Sequence, residues 1–509
     1  MRMTGPARRR AAMLFPFLSF AALVLACGDS ADPPSGPGPV PAGPAAPTGP
    51  TPDDPDSTAP GEPETPTQTL AIELQPADTL IDPGASARLR VDVIGGDPAR
   101  PPDLAWTSRD TAVALVGPDG MVTGIDAGSA TIVARAGAAA DSVRIDVRLR
   151  LASVSVGEMH ACGLSERGAV FCWGANPHGE LGTGDYGSRL RPARTAPGLR
   201  LAEVAAAGGF TCGAAPDGTG WCWGDGSMME MGTLAAAKTN PLPLPVDGGH
   251  VFRSVSGSQM AHACGLGADG GARCWGYNRF GMVGHGVTRD EPTPVPVAGG
   301  HVFRALHSAF FRTCGIDDEG RALCWGRGGP AQIGDPAAVP DTCSGLPCAL
   351  SPRPAASSAA LAEIAVGQRH TCALGSDGLV LCWGDNEAGQ AGQPAGADVP
   401  VPTPLELPAP AVAVAAGAAH ACALLSDGPA HCWGDNSHGQ LGDGSRAGGA
   451  PRAVAGGLRF VFLAAGYDQT CGITEDGGTW CWGRNSAGQL ARDPAAVASS
   501  EVPVRVAMH

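Results

Sequence analysis

From residue 150 onward the chain is written in short runs in which apolar and polar residues alternate, each pair of runs broken by a glycine-containing turn. Residues 367–392, GQRHTCALGSDGLVLCWGDNEAGQAG, give the pattern in full. Alternation on either side of Ser376-Asp377-Gly378 predicts two strands joined by a tight turn. Glycine stands six residues after the first cysteine of every such unit, at Gly168, Gly218, Gly270, Gly320, Gly378, Gly428 and Gly477. A three-residue hairpin loop ends in a residue with positive φ, where glycine escapes the Cβ penalty. With that loop, residues 375 and 379 close the hairpin and Cys372 falls opposite Cys382.

The unit recurs. Cysteine, nine residues, then Cys-Trp-Gly occurs seven times: Cys162 with Cys172, Cys212 with Cys222, Cys264 with Cys274, Cys314 with Cys324, Cys372 with Cys382, Cys422 with Cys432, and Cys471 with Cys481. Successive first cysteines lie 50, 52, 50, 58, 50 and 49 residues apart, a period that denotes a repeat array. The hairpin register makes each pair a cross-strand, non-hydrogen-bonded pair with Cα atoms about 4.5 Å apart, at the short edge of the disulfide range. Zinc sites want cysteines two to four residues apart and haem attachment wants Cys-x-x-Cys-His; neither spacing is present, so disulfides are the expectation. Each tryptophan of Cys-Trp-Gly points to the opposite strand face from its cysteine and is expected to pack between neighbouring sheets. All-β units of this length arranged radially make a β-propeller with four-stranded blades, and seven units predict seven blades.

Between residues 70 and 149 the alternation is organised differently, as LAIEL, ARLRVDV, LAWTS, AVALV, GMVTG, SATIVARA and SVRIDVRL. Seven short strands in so brief a segment predict a small antiparallel sandwich. The fold class expected is therefore all-β: a seven-bladed β-propeller preceded by a small β-sandwich, which the resemblance given below makes immunoglobulin-like.

Two resemblances rest on these residues. Gly-x-x-His-x-Cys-x-Leu-x-x-Asp-Gly, then Cys-Trp-Gly-Asp-Asn and Gly-Gln-Leu-Gly, resembles the regulator-of-chromosome-condensation repeat family, most fully over residues 417–442 (GAAHACALLSDGPAHCWGDNSHGQLG). The resemblance covers residues 150–509 and implies a seven-bladed propeller whose first and last blades are joined by pairing of distant segments. Residues 502–506 (VPVRV) are the candidate closing strand, expected beside Leu151–Val156. AWTSRDTAVALVGPDGMVTGIDAGSATIVARA resembles the bacterial immunoglobulin-like group 2 domain, with Trp106 in its core and Gly120, Gly124 and Gly128 at turns.

The N-terminus reads as an address. Arg2, Arg8, Arg9 and Arg10 precede an apolar run over residues 11–26, which is short for a bilayer span and fits a secretory signal. It ends Leu23-Val24-Leu25-Ala26-Cys27, which resembles a bacterial lipoprotein cleavage box; by that resemblance residues 1–26 are a lipoprotein signal peptide and Cys27 carries the lipid. An ordinary secreted protein cleaved nearby is the alternative. Of 17 cysteines, fourteen sit in the hairpin pairs, and Cys343 and Cys348 lie together in the one enlarged segment between repeats. Only Cys27 is left over, and the pairs call for an oxidising compartment. Residues 27–69 hold the lipidated cysteine and a Pro-rich spacer without apolar periodicity, disordered and able to reach about 130 Å in its stiffest form.

Composition narrows function mostly by exclusion. The formal net charge is −15 and Lys238 is the sole lysine, so there is no basic stripe for nucleic acid. No phosphate loop, zinc-protease helix, nucleophile elbow or calcium loop appears, and neither cofactor nor catalytic residue is expected. Two residues before the first cysteine stand His160, Phe210, His262, Arg312, His370, His420 and Gln469. Four histidines in equivalent places raise the idea of a metal ring, but Phe, Arg and Gln interrupt it and a structural role is favoured. Binding, if it occurs, belongs to the segments in which repeats differ: 226–238, 277–287 and 327–354. Met228, Met229, Met231, Tyr277, Phe280 and Met282 are the candidate surface, against a reading of the same residues as edge packing.

The expectation is thus a monomeric, lipid-anchored protein of the bacterial envelope, periplasmic or cell-surface, binding a protein or envelope component without catalysis. Inhibition of an extracellular hydrolase is one alternative, from resemblance to secreted propellers that inhibit β-lactamases. An enzyme with its site at the channel mouth is another and would need paired carboxylates or a His/Asp pair there. Nucleotide exchange on a GTPase, the best-known activity of the resembled family, is set aside on compartment grounds.

Overall fold

A computed structural model describes residues 70–95, 102–338 and 340–507. The candidate signal peptide, Cys27 and the spacer lie outside these residues.

The sandwich spans Ala71–Gln75 to Ala139–Val147. The longest strands, Gly128–Ala136 and Ala139–Val147, pair along nine residues. Asp78–Ile81 joins Ala139–Val147 in parallel, and Ala105–Ser108 completes that sheet antiparallel to Gly128–Ala136. Ile72, Leu74, Val122, Ile132 and Ile145 alternate inward to form the core. Two details differ from the reading by alternation. ARLRVDV is split into Ser86–Arg88 and Arg90–Ile94, which join different sheets, and Asp78–Ile81 adds a strand. Gly124 lies inside the strand Met121–Gly124, where a Cβ would stand 2.9 Å from the carbonyl oxygen of Asp82. Close backbone approach, not a turn, requires that glycine. Trp106 is half-buried against the core.

Beyond the sandwich the described residues form seven antiparallel sheets from consecutive chain. The first contains Leu151–Val156, His160–Ser165, Val170–Gly174 and Arg189–Arg194; the last contains Phe460–Ala465, Gln469–Thr474, Thr479–Arg484 and Ser499–Arg505. First strands surround a central channel. Outer strands such as Glu291–Pro296 (EPTPVP) and Val399–Leu405 (VPVPTPL) carry prolines, which an edge tolerates because no neighbour asks for the missing N–H.

Each hairpin has the expected register. Cys372 is opposite Cys382, Gly378 has φ +85°, and Gly375 N–H donates to Leu379 O at 2.8 Å. The same opposition places Cys162 against Cys172, Cys212 against Cys222, Cys264 against Cys274 and Cys314 against Cys324. Cys422 faces Cys432 and Cys471 faces Cys481 in the same manner. All seven hairpin pairs are disulfides with Cα atoms 4.0–4.1 Å apart, somewhat closer than the ordinary spacing of a non-hydrogen-bonded pair. Cys343 and Cys348 form an eighth. The glycine after each tryptophan is also obligatory. Gly434 has φ +99°, and a Cβ there would stand 2.5 Å from Ala419 O.

The seven tryptophans are fully buried wedges between sheets. Trp223 Nε1–H donates to Glu180 O (2.7 Å) in the preceding sheet, and Trp482 does the same to Gln440 O (2.9 Å). Trp173 of the first sheet reaches Gln489 O of the last at 2.9 Å, closing the ring. Gln469 Nε2 donates to Gly157 O at 3.0 Å across the same seam. The closing-strand expectation is corrected here. Ser499–Arg505 pairs with Thr479–Arg484 as the outer strand of its own sheet, and Leu151–Val156 pairs only with His160–Ser165 among the described strands. Closure is made by packing and side-chain hydrogen bonds rather than by a shared sheet.

The residues two before the first cysteine are also inter-sheet contacts. Thr211 Oγ1 donates to Glu180 O (2.9 Å), so it accepts from His160 Nε2–H at 2.8 Å. His420 pairs with Thr470 in the same way (2.9 Å), and His262 Nε2 lies 2.9 Å from Thr313 Oγ1. Burial lowers their pKa values, His160 and His420 to about 4 and His262 to about 3, so they are neutral at pH 7. His370 is the exception. Ala421 stands where threonine would, and neither buried imidazole nitrogen makes a well-formed hydrogen bond, with only the His420 backbone acting weakly on the ring. Phe210 above Ala263 shows the apolar solution to the same geometry. His370→Phe is therefore expected to stabilise the protein by about 1 kcal/mol, since an orphaned buried polar group costs about 1–3 kcal/mol. His420→Phe is expected to destabilise it, and urea denaturation distinguishes the two.

Candidate functional site

In each sheet the first and second strands, and the third and fourth, are connected at the same end. One bond repeats there: Ala175 N–H to Met159 O, Tyr277 N–H to Ala261 O, Arg327 N–H to Phe311 O and Asp435 N–H to Ala419 O, at 2.8–2.9 Å. This end is the loop face and gathers the segments that vary between repeats. The opposite end carries the tight glycine hairpins.

On the loop face the candidate residues separate. Met228 and Met229 are exposed, while Tyr277 and Phe280 are half-buried. Met231 and Met282 are fully buried and offer nothing to a partner. Met231 occupies the place of Leu181 and Leu441, beneath the tryptophan of the next sheet; Trp275 Nε1–H bonds the adjacent Glu230 O at 2.8 Å. Trp325 Nε1–H bonds Met282 O at 2.8 Å.

Phe280 leads to a concavity of this face. Its ring meets Phe311 edge-on, with centroids 5.3 Å apart, and the Arg327 guanidinium lies 5.4 Å from one ring and 5.6 Å from the other. A groove of about 440 Å³ continues from there, lined by Phe311, Arg327, Gln332, Leu346, Pro347 and Arg369. One wall is the hairpin Asp341–Cys343/Leu346–Pro354, which widens the fourth sheet to five strands and is stapled by Cys343–Cys348. The chemistry is aromatic, aliphatic and cationic. Two carboxylates border the groove: Asp385 lies 3.4 Å from Arg369, and Asp398 Oδ2 accepts from Gln332 Nε2–H at 3.1 Å.

The channel, about 400 Å³, holds side chains that alternation did not single out. The free edge of each first strand exposes N–H groups, and polar side chains of the preceding sheet cap several of them. Ser155 Oγ accepts from Ala206 N (2.9 Å), Glu203 Oε2 from Val255 N (3.2 Å), Ser256 Oγ from Ser308 N (2.7 Å) and His307 Nδ1 from Val366 N (3.1 Å). Glu363 accepts from the Val414 backbone. Desolvation raises Glu203 and Glu363 to about 7 and lowers His307 to about 4. At the loop face two aromatic rings meet across the channel. Phe310, in the left-handed region with φ +50°, comes from the fourth sheet and meets Tyr467 of the seventh with ring centroids 5.5 Å apart.

The signs of these shifts give a pH test. The folded state holds protons on Glu203 and Glu363 that the unfolded chain releases above pH 4.5, so their contribution to stability falls as pH rises through about 7. Glu203→Gln keeps an acceptor for Val255 N–H. It is expected to leave stability unchanged at pH 5 and to raise it by about 1–2 kcal/mol at pH 8, discounting the full shift for partial exposure. Urea midpoints at the two pH values check this.

The profile of the Regulator of chromosome condensation (RCC1) repeat matches residues 152–180, 362–390, 411–440 and 460–489, and a second profile of that repeat matches 167–214 and 377–424. Residues 152–214, 362–440 and 460–489 therefore carry RCC1 repeats. Residues 69–147 match the bacterial Ig-like domain (group 2). Among solved structures, yeast RCC1 (Prp20), from its complex with Kap60, is similar at 23% identity with a TM-score of 0.60, over 68% of this chain and 85% of that one. Human WBSCR16 is similar at 20% identity with a TM-score of 0.58, over 67% and 95%. At these identities the likeness shows the fold alone. The RCC1-type propeller supports a binding or scaffold role and accounts for the strict Cys, Trp and Gly positions as architecture. Among the described residues, no helix is long and apolar enough to cross a membrane.

Proposed function

We propose that this protein is an extracytoplasmic, lipid-anchored binding protein that presents a disulfide-stapled propeller to a protein or envelope partner through its loop face, without catalysis. The observation that carries the reading is the pairing of sixteen cysteines in eight disulfides. A set this dense fits an oxidising compartment and leaves Cys27, the proposed lipid site, as the remaining cysteine of the chain. The Phe280–Arg327–Phe311 groove supplies the rigid aromatic and arginine anchors that dominate interface energetics. The capped channel carboxylates and the aromatic pair above them support a non-catalytic reading.

The test is photocrosslinking on intact cells from positions 280 and 346 on the loop face and, as a control, from position 377 on the hairpin face. A partner captured from 280 and 346 but not from 377 supports the proposal, and Arg327→Ala is then expected to weaken its binding about tenfold or more. Capture only through residues 70–149 would make the sandwich the binder and reverse the assignment.

A further inference from the structure

Four arginines converge where the sandwich runs into the ring. Arg148 and Arg150 come from the connecting segment, Arg492 from the chain before the last outer strand, and Arg505 from that strand's end. With Asp476 and Thr479 they line a pocket of about 380 Å³. The pocket belongs to the hairpin end of the seventh sheet, away from the loop face.

The local charge is opposite to that of the chain. Two carboxylates face the four guanidinium groups. Asp82 lies 3.3 Å from Arg148 and 3.5 Å from Arg150, and Asp476 is the charged neighbour of Arg505. Asp476 Oδ1 is already engaged, accepting from Thr474 Oγ1 and, at 3.1 Å, from Gly478 N–H. The Arg492 Nη atoms donate to the carbonyls of Ala491 and Arg505, which fixes the head group. Among the described residues two positive charges are left over, in a protein whose formal net charge is −15. A second, independent feature points the same way. Thr479 is 1% exposed, lines the pocket, and its hydroxyl has no hydrogen-bond partner. A buried donor left unsatisfied costs about 1–3 kcal/mol, and a bound acceptor would remove that cost.

We propose that this pocket binds a phosphate group. Guanidinium forks match phosphate oxygens bidentately, a phosphate monoester carries close to the two negative charges that the site lacks, and Thr479 supplies a neutral donor. The inference does not depend on the binding role assigned to the loop face. The phosphate could belong to a soluble ligand or to a lipid headgroup, and the test separates these sources.

The full chain carrying Cys27→Ser, so that no acyl anchor contributes, is titrated with inorganic phosphate at constant ionic strength set by chloride. It is also floated with phosphatidylcholine vesicles, with and without phosphatidic acid. Saturable phosphate binding is expected, weakened about tenfold or more in Arg492→Ala/Arg505→Ala and about threefold to tenfold in Thr479→Val. Phosphate binding without flotation assigns a soluble ligand; flotation dependent on phosphatidic acid and lost in the double variant assigns a headgroup. Thr479→Val removes no charge and keeps the shape, so it carries the test should the double variant fail to fold. Phosphate bound no better than chloride, with no flotation, overturns the proposal. So does binding that is undiminished in a folded double variant and in Thr479→Val.

Discussion

Reduction of the eight disulfides is expected to unfold the propeller at 37 °C. Each hairpin bridge links residues ten apart, and in the chain-entropy model a loop of that size is worth about 2.5–3 kcal/mol. A folded domain has only about 5–15 kcal/mol of net stability, so seven such contributions cannot be lost together and leave the ring intact. The hairpin cysteines are at most 1% exposed. Dithiothreitol should therefore act slowly on the folded protein and rapidly once guanidinium opens it. Tryptophan fluorescence after removal of denaturant reports the result: the oxidised protein refolds and the reduced protein does not. Replacing one pair, Cys422→Ala with Cys432→Ala, is expected to cost about 2–3 kcal/mol and to leave the ring folded.

Trp433→Ala is expected to destabilise the protein by about 3–5 kcal/mol. The indole is fully buried between the fifth and sixth sheets, and its Nε1–H donates to Gln390 O at 3.1 Å. Truncation leaves a cavity between two sheets that cannot approach further, because the ring is closed through Trp173 and Gln469 elsewhere. It also orphans a carbonyl. Trp383→Ala removes the same volume at the next interface, but Trp383 Nε1 has no partner there, so its cost is expected to be smaller by about 1 kcal/mol. Urea midpoints of the two variants measure the difference directly.

What could be read from the sequence follows from which features are local. Hairpin register is set by turn length and side-chain alternation, so Cys372 opposite Cys382 and the positive φ of Gly378 followed from counting residues. The inter-sheet role of tryptophan followed because its face is opposite to that of the bonded cysteine. Ring closure is not local. A signal existed even so: SSEVPVR, the last outer strand, repeats the proline-bearing pattern of VPVPTPL and is simply the edge of its own sheet. Met231 looked variable because methionine replaces leucine, yet its place before Gly232 matches Leu181 and Leu441 before Gly182 and Gly442. Glu203 and Glu363, in LAEVAA and LAEIAV, had no such marker. A carboxylate in a short strand reads as solvent-facing, and only the adjacent sheet reveals that it caps Val255 or Val414. The four-arginine pocket joins residues more than 300 positions apart and is invisible to any periodicity.

The central claim, a propeller stapled in an oxidising compartment and held there by lipid, is tested most directly by mass spectrometry of the mature protein isolated under thiol-blocking conditions. The account predicts an acylated Cys27 at the N-terminus and no alkylated cysteine. It also predicts cross-linked peptides joining Cys162 to Cys172, Cys212 to Cys222, Cys264 to Cys274, Cys314 to Cys324, Cys372 to Cys382, Cys422 to Cys432 and Cys471 to Cys481. Free, alkylated thiols at the hairpin positions, on a chain that retains residues 1–26, would contradict it.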